Sequence, residues 1–387
     1  MLHHTPHHWN FLFRHEVNVV YLSVALRSFG ISLLGLFVPL YLIKDQDFSL
    51  AAVLGFYLFF SVILAISTPI AGAFSARFGM KHTVLVSVPL YLGFLFLLYF
   101  LPFLKIASSS PSSFFSRISL LLPAALLGIS IAFYWMGLHQ VIYRVSTRKH
   151  RGEAIGKQKA VTVLGTIAGP LVGGFIISFS GFPLLFAVAA VFLILSAGFL
   201  LFNKEKHTSY HFSLRSLVPG KEHWKNSLFF VSQGTRVIAD GMLWPLLVFF
   251  LLEDYLSLGF LGTLFAGGSA LLLWFMGRKS DHYNKRDLVR WLTPLESASW
   301  FFRSLVDSFS QILGITIFSV LVTGVREAPL SALEYDKAQG DITAYFVNRE
   351  IFVALGRIFM LTFVLLTDSI TGGLFFQGIA NLAVLLF

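Results

Sequence analysis

Residues 72–81 read GAFSARFGMK and residues 277–286 read GRKSDHYNKR. Each opens on a glycine at the close of an apolar stretch and passes through basic residues into another. The two glycines stand 205 positions apart in a chain of 387 residues. Two further echoes keep the same order. FVPLYL, 37–42, with Pro39 matches LWPLLV, 243–248, with Pro245 at an offset of 206. VLGTI around Gly165 matches ALGRI around Gly356 at an offset of 191. The offset shortens because the Ser-rich segment ASSSPSSFFSR, 107–117, has no counterpart in the second half. The pattern reads as one helical unit present twice.

Composition says where such a unit resides. Hydrophobic residues make up 56% of the chain and charged residues 12%, against roughly 25% charged in a soluble protein. Twelve spans of about 20 apolar residues need about 240 positions, which this length supplies. A soluble multi-domain enzyme is excluded. The net charge of +10 reads as the lysine and arginine excess of membrane loops, not as a nucleic-acid surface. With no cysteine there is no disulfide framework, thiolate metal site or cysteine nucleophile. The polar, His-rich start, 1–16, reads as a tail, not a cleavable signal. His3, His4, His7 and His8 are taken as unpaired imidazoles in that tail, and no metal or other cofactor is expected.

Apolar stretches fall at 17–43, 48–76, 82–101, 118–145, 157–180, 182–202, 224–252, 257–276, 287–306, 309–333, 342–366 and 369–387. The expected class is an all-α integral membrane protein with two pseudo-symmetric six-helix bundles, 1–203 and 223–387, joined by a cytoplasmic linker, 204–222. Placing the N-terminus inside puts twenty lysines and arginines in inside loops, around Lys149, Lys206 and Lys285 among others. Only Lys44, Lys105 and Arg117 then lie outside, with Ser109 and Glu253. The positive-inside rule therefore places both termini in the cytoplasm and the chain in the cell membrane as a multi-pass protein.

At these turns the sequence resembles the major facilitator superfamily, whose loop between helices 2 and 3 reads G-x-x-x-D-R-x-G-R/K-R/K. Gly72, Arg77, Gly79 and Lys81 match, while Ala76 replaces the aspartate. The second copy keeps Gly277, Asp281, Lys285 and Arg286, with Asn284 at the second glycine's place, where Asn tolerates positive φ. The acid of such a turn can face a helix N-terminus, so Ala76 leaves the first copy without that latch. RGEAIG, 151–156, resembles the family's approach to helix 5. The stretch GTIAGPLVGG, with Gly165, Gly169, Pro170, Gly173 and Gly174, is similar to the motif of the proton-driven drug and solute antiporter branch. Physically, Pro170 kinks the helix and the glycines admit a close neighbour; ordinary small-residue packing is the competing reading. The resemblance implies two bundles rocking about a central cavity lined by helices 1, 4, 7 and 10. Helices 2, 5, 8 and 11 would form the seam. Proton coupling comes from the resemblance alone.

Ionisable residues inside spans are costly in lipid and are the site candidates. They are Arg27 in span 1, Arg236 and Asp240 in span 7, Arg326 and Glu327 in span 10, and Arg349, Glu350 and Arg357 in span 11. Span 4 adds Tyr134, Trp135, His139, Gln140 and Tyr143, of which Trp135, His139 and Tyr143 share one face. That face reads as an aromatic wall for an organic ligand, or as packing with satisfied polar tips. Arg236 with Asp240, and Glu350 with Arg357, are expected as pairs within one helix. Glu296 and Arg303 in span 9 are read as structural. Arg27 has no acid near it in its own helix, so it is expected to face the cavity and either anchor a charged substrate or meet a carboxylate of the other half. An excess of arginine on the cavity wall would favour an anionic or zwitterionic ligand.

Together these features predict a secondary transporter that moves a small organic solute by alternating access, with proton-coupled export favoured by the span 5 motif. The partners are the solute, protons and the bilayer, with no nucleic acid and a monomeric chain. A solute importer and a lipid or lysolipid flippase remain alternatives. A membrane enzyme acting on a lipid-linked substrate would need acid and histidine clusters in its loops. No P-loop is present to bind ATP.

Overall fold

The computed structural model describes residues 15–107, 114–145, 163, 165–201, 224–279, 284–337 and 342–387. Among these, nine helices are long and apolar enough to cross a membrane. One of them, residues 165–201, is two passes. Gly181 adopts φ 76 inside it, and both of its legs pack along the first helix. A Cβ at Gly165 would meet Ala25, and one at Gly173 would meet Phe37. Beyond Gly181 the order inverts: Phe186 meets Tyr41, Phe192 meets Phe29, and Ser196 bonds Ser23. The chain therefore reverses at Gly181, a conformation that favours glycine.

Two more passes complete the set. Lys285–Arg303 carries charges that lower its hydropathy, and Ile370–Leu386 is short. The twelve passes among the described residues are α1 (15–45), α2 (Leu50–Phe78), α3 (Met80–Ala107), α4 (Phe114–Val145), α5 (165–180), α6 (182–201), α7 (Trp224–Leu252), α8 (Tyr255–Lys279), α9 (Lys285–Arg303), α10 (Phe309–Lys337), α11 (Ile342–Thr367) and α12 (Ile370–Leu386). The outer surface is apolar, with Phe96, Phe179, Leu271 and Leu366 exposed, as a lipid-facing belt requires.

The duplication is visible in the backbone. Both α1 and α7 contain a π-helical turn beside their proline, Tyr41–Asp45 after Pro39 and Ala239–Leu243 before Pro245. A proline removes one backbone donor, and a π turn takes up the mismatch. Asp47 (φ 52) and Glu253 (φ 51), also 206 positions apart, end these helices in the left-handed region. A Cβ on Gly165 would stand 2.5 Å from the Ala25 carbonyl, and one on Gly356 2.0 Å from the Val231 carbonyl. Ala25 and Val231 are again 206 apart. So α1 crosses α5 as α7 crosses α11.

The halves meet along α2 with α11 and α5 with α8. At Gly72 a Cβ would lie 2.8 Å from Val347 on α11, and at Gly174 one would lie 2.4 Å from the Tyr255 carbonyl. Pro170 likewise abuts Gly259 and Gly262 of α8. A bend at Ala168 precedes Pro170. Gly169 and Gly173 instead face α1 of their own half, against Ser32 and Leu33. Only one side of the glycine-rich stretch therefore belongs to the seam.

The basic turns differ in detail. Gly79 (φ 89) ends α2, and Lys81 Nζ donates to the Leu201 carbonyl at 2.9 Å. Arg77 lies over the Phe78 ring. Asn284 does not use positive φ: at φ −67 it caps α9, accepting from the Arg286 amide at 3.2 Å. Lys285 approaches Asp336 at 4.0 Å. Gly277 lies within α8. Asp281, residues 150–156, the linker and the N-terminal histidines fall outside the described residues.

Candidate functional site

A cavity of about 620 Å³ lies between the halves. Its wall comes from α1 (Ser28, Ile31, Ser32, Gly35), α4 (Tyr134, Trp135, Leu138, His139), α7 (Gln233, Arg236) and α10 (Thr323, Glu327, Leu330, Ser331, Glu334). Phe265, Ser269 and Leu273 of α8, Val163 and Thr166 before and in α5, and Arg349 of α11 complete it. The end away from the basic turns is closed across the halves. The Phe37 and Phe182 rings meet Tyr255 at 6.3 and 5.8 Å, and Lys44 Nζ sits 5.6 Å from the Phe250 ring.

Two charged groups face the cavity. In the first, Arg236 donates from Nη1 and Nη2 to Glu327 Oε2, both at 3.3 Å. Its Nε lies 3.4 Å from Asp240 and 3.6 Å from Glu296. One guanidinium thus serves three carboxylates. The Glu327 side chain is 32% exposed, so water and solute reach it.

The second group joins the halves. His139 on α4 places Nε2 3.1 Å from Glu350 Oε1 on α11. Arg349 Nη1 lies 3.4 Å from the same nitrogen, so Nε2 donates to Glu350 or accepts from Arg349 according to the tautomer. The imidazole stacks on Phe346, with ring centres 4.5 Å apart and planes 1° apart, and on Trp135 at 5.4 Å. Arg349 bonds both Glu350 and Glu334.

A third, buried group supports the first. Arg326 pairs with Glu296 and donates to Asn381 at 3.2 Å. Arg303 donates to Asp240 at 2.9 Å and stacks over Trp300. Asp240 and Arg326 belong to this backing and do not line the cavity.

Several sequence expectations are corrected here. Arg27 does not face the cavity. It is 1% exposed, its guanidinium lies 4.0 Å from the Tyr134 ring centre and 6.0 Å from that of Tyr91, and among the described residues it makes no hydrogen bond. Tyr134 stands between it and the cavity. The offset to its cost in lipid is ring-face attraction, not a carboxylate of the other half. Arg236 and Asp240 do pair along α7. Glu350 pairs with Arg349 and His139 instead of Arg357, which lies over Phe60 at 5.6 Å. The side chains of Gln140 and Tyr143 lie outside the described residues. Only two of the span arginines, Arg236 and Arg349, line the cavity, and both are matched by glutamates. Among the described residues the wall carries no excess of arginine over acid.

The family model described as Major Facilitator Superfamily matches residues 20–251. The chain belongs to the Major Facilitator Superfamily. It is a transporter, not an enzyme, and it works in a membrane on a small-molecule substrate. Within the superfamily it is 24% identical over 329 residues to multidrug resistance protein 1 of Bacillus subtilis, covering 82% of this chain and 79% of that protein. It is also 24% identical over 368 residues to the Bacillus subtilis protein YqgE, covering 89% of this chain and 82% of the relative. The solved structure of the human organic anion transporter MFSD10 (TETRAN) superposes with a TM-score of 0.68 at 14% identity, over 96% of this chain and 99% of the other. At that identity the likeness speaks for the fold.

Among the described residues, Glu334 is the ionisable cavity residue missing from the sequence-based candidates. The apolar stretch ends at Leu333, but α10 continues to Lys337. Glu327, Ser331 and Glu334 follow helical spacing on one face, and that periodicity would have found it. Arg349, already a span 11 candidate, pairs with its neighbour Glu350 and with Glu334 of α10.

Proposed function

We propose that this superfamily member is a proton-coupled exporter of an amphipathic organic solute in the cell membrane. Bundles 1–203 and 223–387, joined by the cytoplasmic linker 204–222, rock about the central cavity as a monomer with both termini inside. The observation that carries this reading is Glu327, a partly exposed carboxylate in a largely apolar cavity, sharing Arg236 with Asp240 and Glu296. When Glu327 takes a proton, Arg236 keeps contacts to Asp240 and Glu296, which it shares with Arg303 and Arg326. The network of three guanidinium groups and three carboxylates then gains one positive charge at the cavity, while each guanidinium keeps a carboxylate contact. Aromatic Tyr134, Trp135 and Phe265 supply the apolar wall for the solute. The α5 motif and the relative named multidrug resistance protein 1 support the exporter reading.

The test uses proteoliposomes with an internal pH dye and a panel of lipophilic organic cations and anions. A transported solute should drive proton movement in the opposite direction. Glu327→Gln should reduce gradient-driven transport to background while exchange of labelled for unlabelled solute persists. Unchanged gradient-driven transport in Glu327→Gln would remove the proposed proton carrier.

A further inference from the structure

A second cleft, of about 590 Å³, lies at the basic end of the second half, away from the central cavity. Its wall carries four cations: Lys225 at the start of α7, Arg286 and Arg290 on the first turns of α9, and Lys337 at the end of α10. Arg286 and Arg290 share one face of α9. Among the described residues none of the four forms an ion pair, and no aspartate or glutamate lines the cleft. The nearest acids in sequence are Asp287 and Asp336, and Asp336 is held 4.0 Å from Lys285. Lys337 donates to Asn226 Oδ1 at 3.0 Å and to the Phe387 backbone oxygen at 2.8 Å. Burial, with Arg286 and Lys225 beside it, lowers its pKa to about 8. Burial is the larger cause, and the two neighbouring cations add to it.

We propose that this cleft binds a phosphate group, carried by an anionic phospholipid headgroup or free in solution. Among the described residues no aspartate or glutamate side chain offsets the four cations, and guanidinium groups suit phosphate oxygens. The flanks favour the lipid source. Trp224 and Trp291, beside Lys225 and Arg290, are exposed, as are Leu385 and Leu386. Exposed tryptophans mark the membrane interface, and basic clefts between helices at that level take anionic headgroups. None of these residues lines the central cavity, so the proposal stands apart from the cavity reading.

The test is native mass spectrometry and thermal unfolding of the purified full chain in detergent. The probes are phosphatidylglycerol, phosphatidylcholine and inorganic phosphate. Phosphatidylglycerol should be retained and should raise the unfolding midpoint, while phosphatidylcholine should do neither. Arg286→Ala with Arg290→Ala should weaken phosphatidylglycerol binding roughly thirty-fold, and the matching double change to lysine should keep most of it. Stabilisation by inorganic phosphate with the same loss in the alanine variant would support the site and assign it to free phosphate. Binding of neither probe, or equal binding by the alanine variant and the parent, would overturn it.

Discussion

Glu296→Ala should destabilise the folded protein by about 3–5 kcal/mol. Glu296 is 2% exposed, pairs with the fully buried Arg326 and lies 3.6 Å from Arg236. Removing it strands the Arg326 guanidinium in the interior of the second bundle with its contact to Asn381, while Arg236 keeps Glu327 and Asp240. The cost arises from the charge left behind, so it falls when that charge is also removed. Glu296→Leu combined with Arg326→Met should recover most of the stability. Reversible unfolding in mixed detergent measures both. A loss under about 1 kcal/mol for Glu296→Ala would show that water or lipid reaches Arg326 and that this network does not brace the bundle.

Gly174→Leu should stop turnover while the protein still folds. A Cβ there would stand 2.4 Å from the Tyr255 carbonyl on α8, so the side chain forces the halves apart at the closed end. Gly173→Leu is the paired control, because its Cβ would strike Leu33 and Phe37 within its own half. It should lower stability by about 1–3 kcal/mol through overpacking. The unfolding midpoint and the initial transport rate of both variants separate the two effects. Normal transport by Gly174→Leu would remove α5 from the moving seam.

The fold was legible because its signals are local. Apolar length marks the passes, and lysine and arginine bias marks the loops. Pro39 with Pro245, and Gly165 with Gly356, mark equivalent kinks and crossings in the two halves. Gly181 ends one pass and begins another without any polar break, and the sequence reading placed the division there. Charge pairing was not legible. Arg236 and Glu327 are 91 residues apart, and His139 and Glu350 are 211 apart. Intrahelical spacing found Arg236 with Asp240 but paired Glu350 with the wrong arginine, because Arg349 is adjacent and Arg357 points at Phe60. Arg27 was misplaced for a related reason. A search for carboxylates does not register tyrosine faces, and Tyr91 and Tyr134 lie on two other helices.

Site-directed cross-linking at the closed end tests alternating access about the central cavity most directly. The chain has no cysteine of its own, so Lys44→Cys with Phe250→Cys introduces the two required thiols. They lie on α1 and α7, where Lys44 Nζ stands 5.6 Å from the Phe250 ring. Joining them with a short cleavable reagent should abolish solute transport, and cleaving the link should restore it, with each single cysteine variant unaffected. Transport by the cross-linked protein at the rate of the unlinked one would contradict the account, because the closed end would then never need to open.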